Sequence, residues 1–488
     1  MRTNPHVLEV NARNWIKRIQ LLTGNNAITL ANVPESYLLD FKARGFDGLW
    51  LMGVWKESLA SREIARNDKG INNSIAQIKP DYKKEEILGS QYSISAYETD
   101  AFLGGDGALQ KFRERLNDLG INLILDFAAN HFAIDHPLTL TEPEIFVRSK
   151  GEPQDKSLFF QTKNGDWLAH GRDPYFPPWT DTVQINHFNP KARAYLTGEL
   201  QRVSQMCDGL RCDMVMLMLN KVFKDTWGRY VQEETPREEF WPDAIEAVRR
   251  EQPFFVFGAE VYWGLEWEVQ ELGFDFTYDK ILYDRLLKSN AQDIQGHLNA
   301  EHLYQMRSIR FISNHDEEEP VTAFGPQKSM AAAVIISTIP GLRLFTARQL
   351  RGEKRRLPIQ YFTGEFVEDK ACEAFYKTLL EAVDHPCFHG GQWVLKNTKP
   401  INDTDESYRN ILAWHWTQLT TCKTVVINYS DRPSRCILRV DKLPEGKNIF
   451  IKEELTKSHI NLPLSEVKAN GLTLEFKPFE SKILSVDF

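Results

Sequence analysis

Four short stretches of this chain end in side chains that could carry acid–base or nucleophilic chemistry. In Gly209-Leu-Arg-Cys-Asp-Met-Val215, Arg211 and Asp213 stand two positions apart, and residues two apart on a strand point to the same face. A guanidinium beside a carboxylate favours the ionised form and lowers its pKa, which suits a nucleophile better than a general acid. Phe254-Phe-Val-Phe-Gly-Ala-Glu260 is an apolar run ending in a carboxylate, with Tyr262 and Trp263 just beyond. Desolvation there raises the pKa and fits Glu260 to act as general acid, then base. The other two stretches close on Asp126-Phe-Ala-Ala-Asn130-His131 and on Asn314-His315-Asp316. Carboxylates that converge repel when ionised, so one of them stays protonated. A protonated and an ionised carboxyl facing one another are the parts that glycosidic-bond cleavage uses; at a separation of about 5–5.5 Å they give retention of configuration. Asp316, beside His315, would hold sugar hydroxyls and favour a developing oxocarbenium ion. Asp126 reads as a buried partner that orients Arg211 rather than as a reactant. Taken singly, an Arg–Asp pair or an Asn-His pair is as readily structural; the ordered set is what points to chemistry.

Such a set needs elements that bring it to one face. Val7–Ala12 reads as a first strand, residues 13–32 as an irregular insertion, and Gly48–Trp55 as a strand buried on both faces. Residues 56–105 form a long polar stretch with little periodicity, of the kind that makes a functional loop. A helix over 107–120 precedes a strand over 121–127. Residues 132–188 are rich in Pro and aromatics, with no clear helix, and read as a small inserted domain. Strand–helix alternation then continues. Helices fall over 190–206, 242–250, 266–272, 283–298, 327–338 and 369–383, and strands over 209–215, 254–260, 274–277, 307–313 and 342–346. About eight such units make a (β/α)8 barrel, a TIM barrel, whose reactive groups sit at the C-terminal ends of its strands. After Pro386 strands follow one another without helices (408–416, 424–428, 436–440, 472–476, 483–488), as in an antiparallel β-sandwich. The expected division is a barrel over 1–131 and 189–388, an inserted domain over 132–188 and a C-terminal β-domain over 389–488.

Composition narrows the setting. The 488 residues carry a net charge of −8, which argues against a nucleic-acid partner. No run of about 18 apolar residues occurs, so no membrane span is expected. The opening MRTNPHVLEV lacks an apolar signal region, and the six cysteines show no metal-ligand spacing. The expectation is a cytoplasmic enzyme with reduced thiols. A barrel aldolase or a metal hydrolase would want a strand-end Lys or a His/carboxylate ligand cluster. No strand end offers that Lys, and His131 and His315 each follow an Asn instead.

DFAANH, GLRCD, the Glu of GAEVYW and ISNHD resemble, in order and spacing, the four short conserved regions of the α-amylase family, glycoside hydrolase family 13. Gln184-Ile-Asn-His-Phe-Asn189 is similar to its fifth region. The resemblance spans nearly the whole chain. It implies a barrel with a domain B inserted after strand 3 and a C-terminal β-domain. It makes Asp213 the nucleophile, Glu260 the acid/base and Asp316 the transition-state stabiliser. Arg211, His131 and His315 then line the −1 sugar subsite, and Tyr92, in GSQYSISAYE, stacks on that sugar. Asn130 matches a residue that often binds structural calcium in the family, but its usual His partner is missing, so no required cofactor is expected and calcium stays open. Three and four positions after the nucleophile, where α-amylases often carry Lys-His, this chain has Met216 and Leu217. The leaving-group side is therefore unlike that of a starch-degrading α-amylase. Residues 131–137 are faintly similar to the maltosyltransferase that uses maltose 1-phosphate. The implied activity is retaining hydrolysis of α-glucans or malto-oligosaccharides. The alternatives are glycosyl transfer or phosphorolysis on the same barrel and, less favoured because Asp213 and Glu260 are present, a non-catalytic carbohydrate-binding member. The sequence leaves oligomeric state open.

Overall fold

In the computed structural model, which describes residues 1–440 and 443–487, eight parallel strands close into a barrel. They are β1 (His6–Asn11), β2 (Gly48–Met52), β3 (Asn122–Ala128), β4 (Gly209–Asp213), β5 (Val256–Ala259), β6 (Phe276–Tyr278), β7 (Ser308–Arg310) and β8 (Leu342–Thr346). Each pairs with its sequence neighbours, and β8 closes on β1. The fold is a TIM barrel with a C-terminal antiparallel β-domain. Its strands bury both faces, as β2 and β8 do along their whole length, which is why they read as unbroken apolar runs. Register sets the height of the reactive groups. Arg211 lies level with Asp126 on β3 and Gly258 on β5, so Asp213 and Glu260 project together just above that layer.

The elements between strands differ from expectation in several places. Residues 13–32 are not irregular: a helix spans Ala12–Thr23, capped by the Asn11 side chain and ended by Gly24 in the left-handed region at φ 66°. Trp15, Ile16 and Ile19 form its buried stripe. The polar stretch 56–105 is also ordered. It opens and closes with a short antiparallel pair, Trp55–Glu57 against Ile94–Thr99, and holds two helices, Leu59–Asn67 and Lys69–Ile78. Its apolar residues are too few per turn to register as periodic, because both helices bury only a narrow face. The expected helix over 283–298 is two, Lys280–Lys288 and Ala291–Leu298, broken where Asn290 caps the second through the Asp293 N–H.

After β3 the chain leaves the barrel through His131–Ala133, which pairs with returning Thr182–Gln184; a small three-stranded sheet lies between them. The C-terminal part holds a six-stranded and a two-stranded sheet. Strands Gln392–Lys396, Asn448–Glu453 and His459–Pro463 add to those expected, while Phe488, read as the end of the last strand, lies outside the described residues. Ile411, Val426, Cys436, Leu438, Leu474 and Leu484 from both sheets share one core, which makes it a sandwich. It docks on the barrel through Trp416, whose Nε1–H donates to Thr338 O at 2.6 Å, and Tyr429, whose hydroxyl donates to Leu286 O at 2.6 Å. Among the described residues no helix is long and apolar enough to cross a membrane, and the six cysteines are buried.

Candidate active site

The C-terminal strand ends open into a cleft of about 610 Å³. Six of the residues singled out in the sequence line it: Tyr92, His131, Asp213, Glu260, His315 and Asp316. Arg211 and Asp126 lie beneath its floor, each 3% exposed. Asn130 is elsewhere, in the junction between barrel and inserted domain.

Arg211 is the hub. Its Nη1 donates to Asp213 Oδ1 at 2.6 Å and lies 3.6 Å from Asp126 Oδ1; its Nη2 forms an ion pair with Glu260 Oε2 at 2.7 Å. The rings of Trp50, Tyr92 and Tyr278 surround the guanidinium at 5.2–5.6 Å, so the cation is fixed by π faces as well as by carboxylates. Asp126 in turn accepts from Trp50 Nε1 at 3.1 Å and from the Tyr92 hydroxyl at 3.3 Å.

Glu260 follows the last residue of β5 and is tied into β4 by its own N–H to Cys212 O at 3.0 Å. Oε1 accepts from the Tyr262 hydroxyl at 2.8 Å, and Oε2 accepts from the Met214 N–H at 2.9 Å. Met214 adopts φ +44° to aim that N–H, a costly conformation for a residue with a side chain. Burial raises the Glu260 carboxyl to about 7, with Arg211 pulling it down and Asp213 pushing it up. At Asp213 the sequence reading needs correcting. Burial outweighs the Arg211 charge and hydrogen bond, so its carboxyl lies above, not below, the ordinary value. A hydrogen bond with Glu260 also draws it down.

Asp316 behaves oppositely. Its side chain is half exposed to the cleft; desolvation by the cleft walls pushes its carboxyl up, but the charge and hydrogen bond of His315 hold it at about 2. His315 Nε2 is 2.9 Å from Asp316 Oδ2, and its Nδ1 is 2.9 Å from Glu9 Oε1. Burial alone would lower the imidazole, but Asp316 and Glu9 raise it well above its usual value. The ring stacks on Tyr92 with centroids 5.2 Å apart. At His131, by contrast, burial outweighs the charges of Asp181 and Glu260 and lowers the ring to about 4. The cleft thus sets a glutamic acid that titrates near 7 beside an anionic aspartate, a cationic histidine and a neutral one.

Glu9 is a site residue the sequence reading missed. It lies inside β1, two residues before the strand ends at Asn11, and the only signal was a carboxylate within a barrel strand. Tyr278, whose hydroxyl accepts from Arg211 Nε at 3.3 Å, and Trp50 were missed as well. On the leaving-group side, Met216 and Leu217 are buried in a tight turn. Half-exposed Trp263, at φ +68°, instead reaches out to Tyr175 of the inserted domain with centroids 5.2 Å apart.

Asn130 does not fit a calcium ligand. Its Oδ1 accepts from Gln184 Nε2 at 3.0 Å and faces His187 Nε2 at 3.4 Å, so the oxygen a cation would need is already engaged by nitrogen. Among the described residues no group of three or more His, Cys, Asp or Glu side chains is clustered to hold a metal ion.

The raised carboxyls have a consequence for stability. Burial lifts Glu319, 1% exposed, to about 8 and Glu260 to about 7. Between the ordinary glutamate value of about 4.3 and those values the folded state binds more protons than the unfolded one, so stability falls as pH rises through the window. Glu319→Gln is expected to flatten this decline between about pH 5 and 8, read as the urea midpoint against pH; an unchanged slope would contradict it.

No family profile matches the chain. A curated α-amylase, MalA of Haloarcula japonica, is 21% identical over 357 residues, covering 70% of this chain and 48% of the relative. A probable oligo-1,6-glucosidase of Bacillus subtilis is 26% identical over 204 residues, covering 37% of this chain and 35% of the relative. The chain spans about half or less of the length of these relatives. Among solved structures, the noncanonic maltogenic α-amylase AmyB of Thermotoga neapolitana superposes with a TM-score of 0.70 at 18% identity, covering 100% of this chain and 99% of that one. The chain is thus similar in sequence to enzymes named as α-amylase, oligo-1,6-glucosidase and cyclomaltodextrin glucanotransferase, and it shares the fold of a solved maltogenic α-amylase.

Proposed function

We propose that this protein is a retaining α-glycoside hydrolase acting on α-glucans or malto-oligosaccharides. The observation that carries this reading is the shared guanidinium: Arg211 contacts both Asp213 and Glu260, and burial lifts Glu260 to about 7. Asp213 attacks the anomeric carbon and forms the glycosyl–enzyme ester. Glu260 protonates the departing oxygen, then takes a proton from the incoming water. Asp316, held anionic by His315, faces the charge that develops on the ring. Tyr92 offers an aromatic face to the sugar, and His131 and His315 offer ring nitrogens to its hydroxyls. No step calls for a cofactor.

A time course of anomeric protons with maltotetraose, run with and without phosphate, tests the assignment. New α-anomeric reducing ends in plain buffer are expected; β-anomers would overturn retention. The half-exposed Trp263 held beside Tyr175 favours a second reading, transfer to a sugar acceptor that stacks there. Longer oligomers in the same time course would support it, and sugar phosphate would indicate phosphorolysis.

Because Glu260 must enter the cycle protonated, kcat/KM is expected to fall as pH rises through about 7. Glu260→Gln should lose about 10²–10⁴-fold on oligosaccharides. The loss should be much smaller on a dinitrophenyl α-glucoside, whose leaving group needs no proton. Equal losses on both substrates would contradict the role.

A further inference from the structure

Two long loops meet at the end of the cleft away from Glu260. One follows β2 and carries the helices Leu59–Asn67 and Lys69–Ile78; the other follows β8. They are zipped backbone to backbone. Leu88 N–H donates to Gln360 O at 2.9 Å, Phe362 N–H donates to Glu86 O at 2.7 Å, and Ile87 and Tyr361 form an antiparallel bridge. The Gln91 side chain donates to Ile359 O at 3.2 Å, and Lys79 pairs with Glu365 at 2.7 Å. Behind the seam lies a separate hydrophobic core of Ala65, Ile75, Ile87, Leu357 and Tyr361, contributed by both loops. Ile75 and Ile87 are wholly buried. Arg356 of the second loop also donates to Asp316 O at 2.6 Å. A seam with its own core and ladder is a fixed wall, unlike a mobile lid, which has few buried apolar contacts.

The wall stands immediately beside the sugar-facing residues. Ser90, Ile359 and Gln360 line the cleft next to Tyr92. The opposite end is open, flanked by Phe176 and Trp263, which are 66% and 40% exposed. During cleavage the part of the glucan beyond the acid departs as the reducing-end fragment, and the part held over the nucleophile is the non-reducing end. We infer that the wall closes the glycone side, so that the enzyme attacks α-glucan chains only from their non-reducing end. This rests on the hydrolase reading above.

The test uses the wild-type protein and two substrates, 4-nitrophenyl maltoheptaoside and the same compound carrying a 4,6-O-ethylidene group on its non-reducing sugar. Consumption of each is followed by chromatography. The free substrate should be consumed and the blocked one should react at least about 100-fold more slowly in kcat/KM. Similar rates for both would overturn the closed glycone side while leaving the hydrolase reading standing. Consumption of neither would remove the hydrolase reading for α-1,4-glucans, and this inference with it.

Discussion

Asp213→Asn is expected to lower kcat on malto-oligosaccharides by at least about 10⁴-fold, about 5 kcal/mol of barrier. An amide of the same shape cannot form the glycosyl ester, and no other carboxylate can take its place. Asp126 lies beneath the floor as an Arg211 partner, and Glu260 is needed as the acid. Folding should be much less affected. Arg211 keeps Glu260 at 2.7 Å and Asp126 at 3.6 Å, so the buried cation is not orphaned. Unfolding free energy should stay within about 1–2 kcal/mol of wild type. Steady-state kinetics beside urea unfolding checks both halves. Turnover within tenfold of wild type would remove Asp213 from the chemistry, and an unfolded variant would show that Arg211 depends on it far more than its other contacts imply.

The largest effect on stability is expected at Arg211. Replacing it by leucine leaves Asp126, Asp213 and Glu260 buried together without their common cation. Breaking a buried pair in this way typically costs about 3–5 kcal/mol. The loss should be greatest at neutral pH and shrink on acidification. Without the guanidinium the three carboxyls rise further above their unfolded values, so the folded state takes up protons the unfolded chain has already lost, and stability returns as pH falls toward about 5. Urea midpoints of Arg211→Leu and wild type across pH 5 to 8 measure this, and a difference that does not change with pH would contradict it. Activity should also be lost, because Asp213 would lose the cation that favours its ionised form.

The candidate residues were readable because they lie at or beyond the ends of barrel strands, and strands buried on both faces announce themselves as apolar runs. Asp213 closes β4, Glu260 follows β5, and Asp316 stands six residues past β7. The direction of the Asp213 shift was not readable: an adjacent arginine is visible in the sequence, whereas the depth of burial that outweighs it is not. Glu9 escaped because its partner His315 lies 306 positions away, and a single carboxylate inside β1 is a weak local mark. The wall escaped for a related reason. Ile75 and Ile87 are isolated in polar sequence and acquire a core only when Leu357 and Tyr361 arrive from the far end of the barrel. In the C-terminal domain, Asn448–Glu453 and His459–Pro463 were missed because the first buries only alternate residues over few positions, and the second buries none fully and ends at a proline.

The central claim is that a glucan is carried covalently on Asp213, and trapping that ester tests it most directly. The wild-type protein would be incubated with 5-fluoro-α-glucosyl fluoride, whose ring fluorine slows release of the intermediate, and analysed by intact mass and peptide mapping. The expected result is one added fluoroglucosyl unit per chain, mapped to Asp213 within the segment 209–215 and absent from Asp213→Asn. Release of fluoride with no adduct, or an adduct on Glu260 instead, would contradict it.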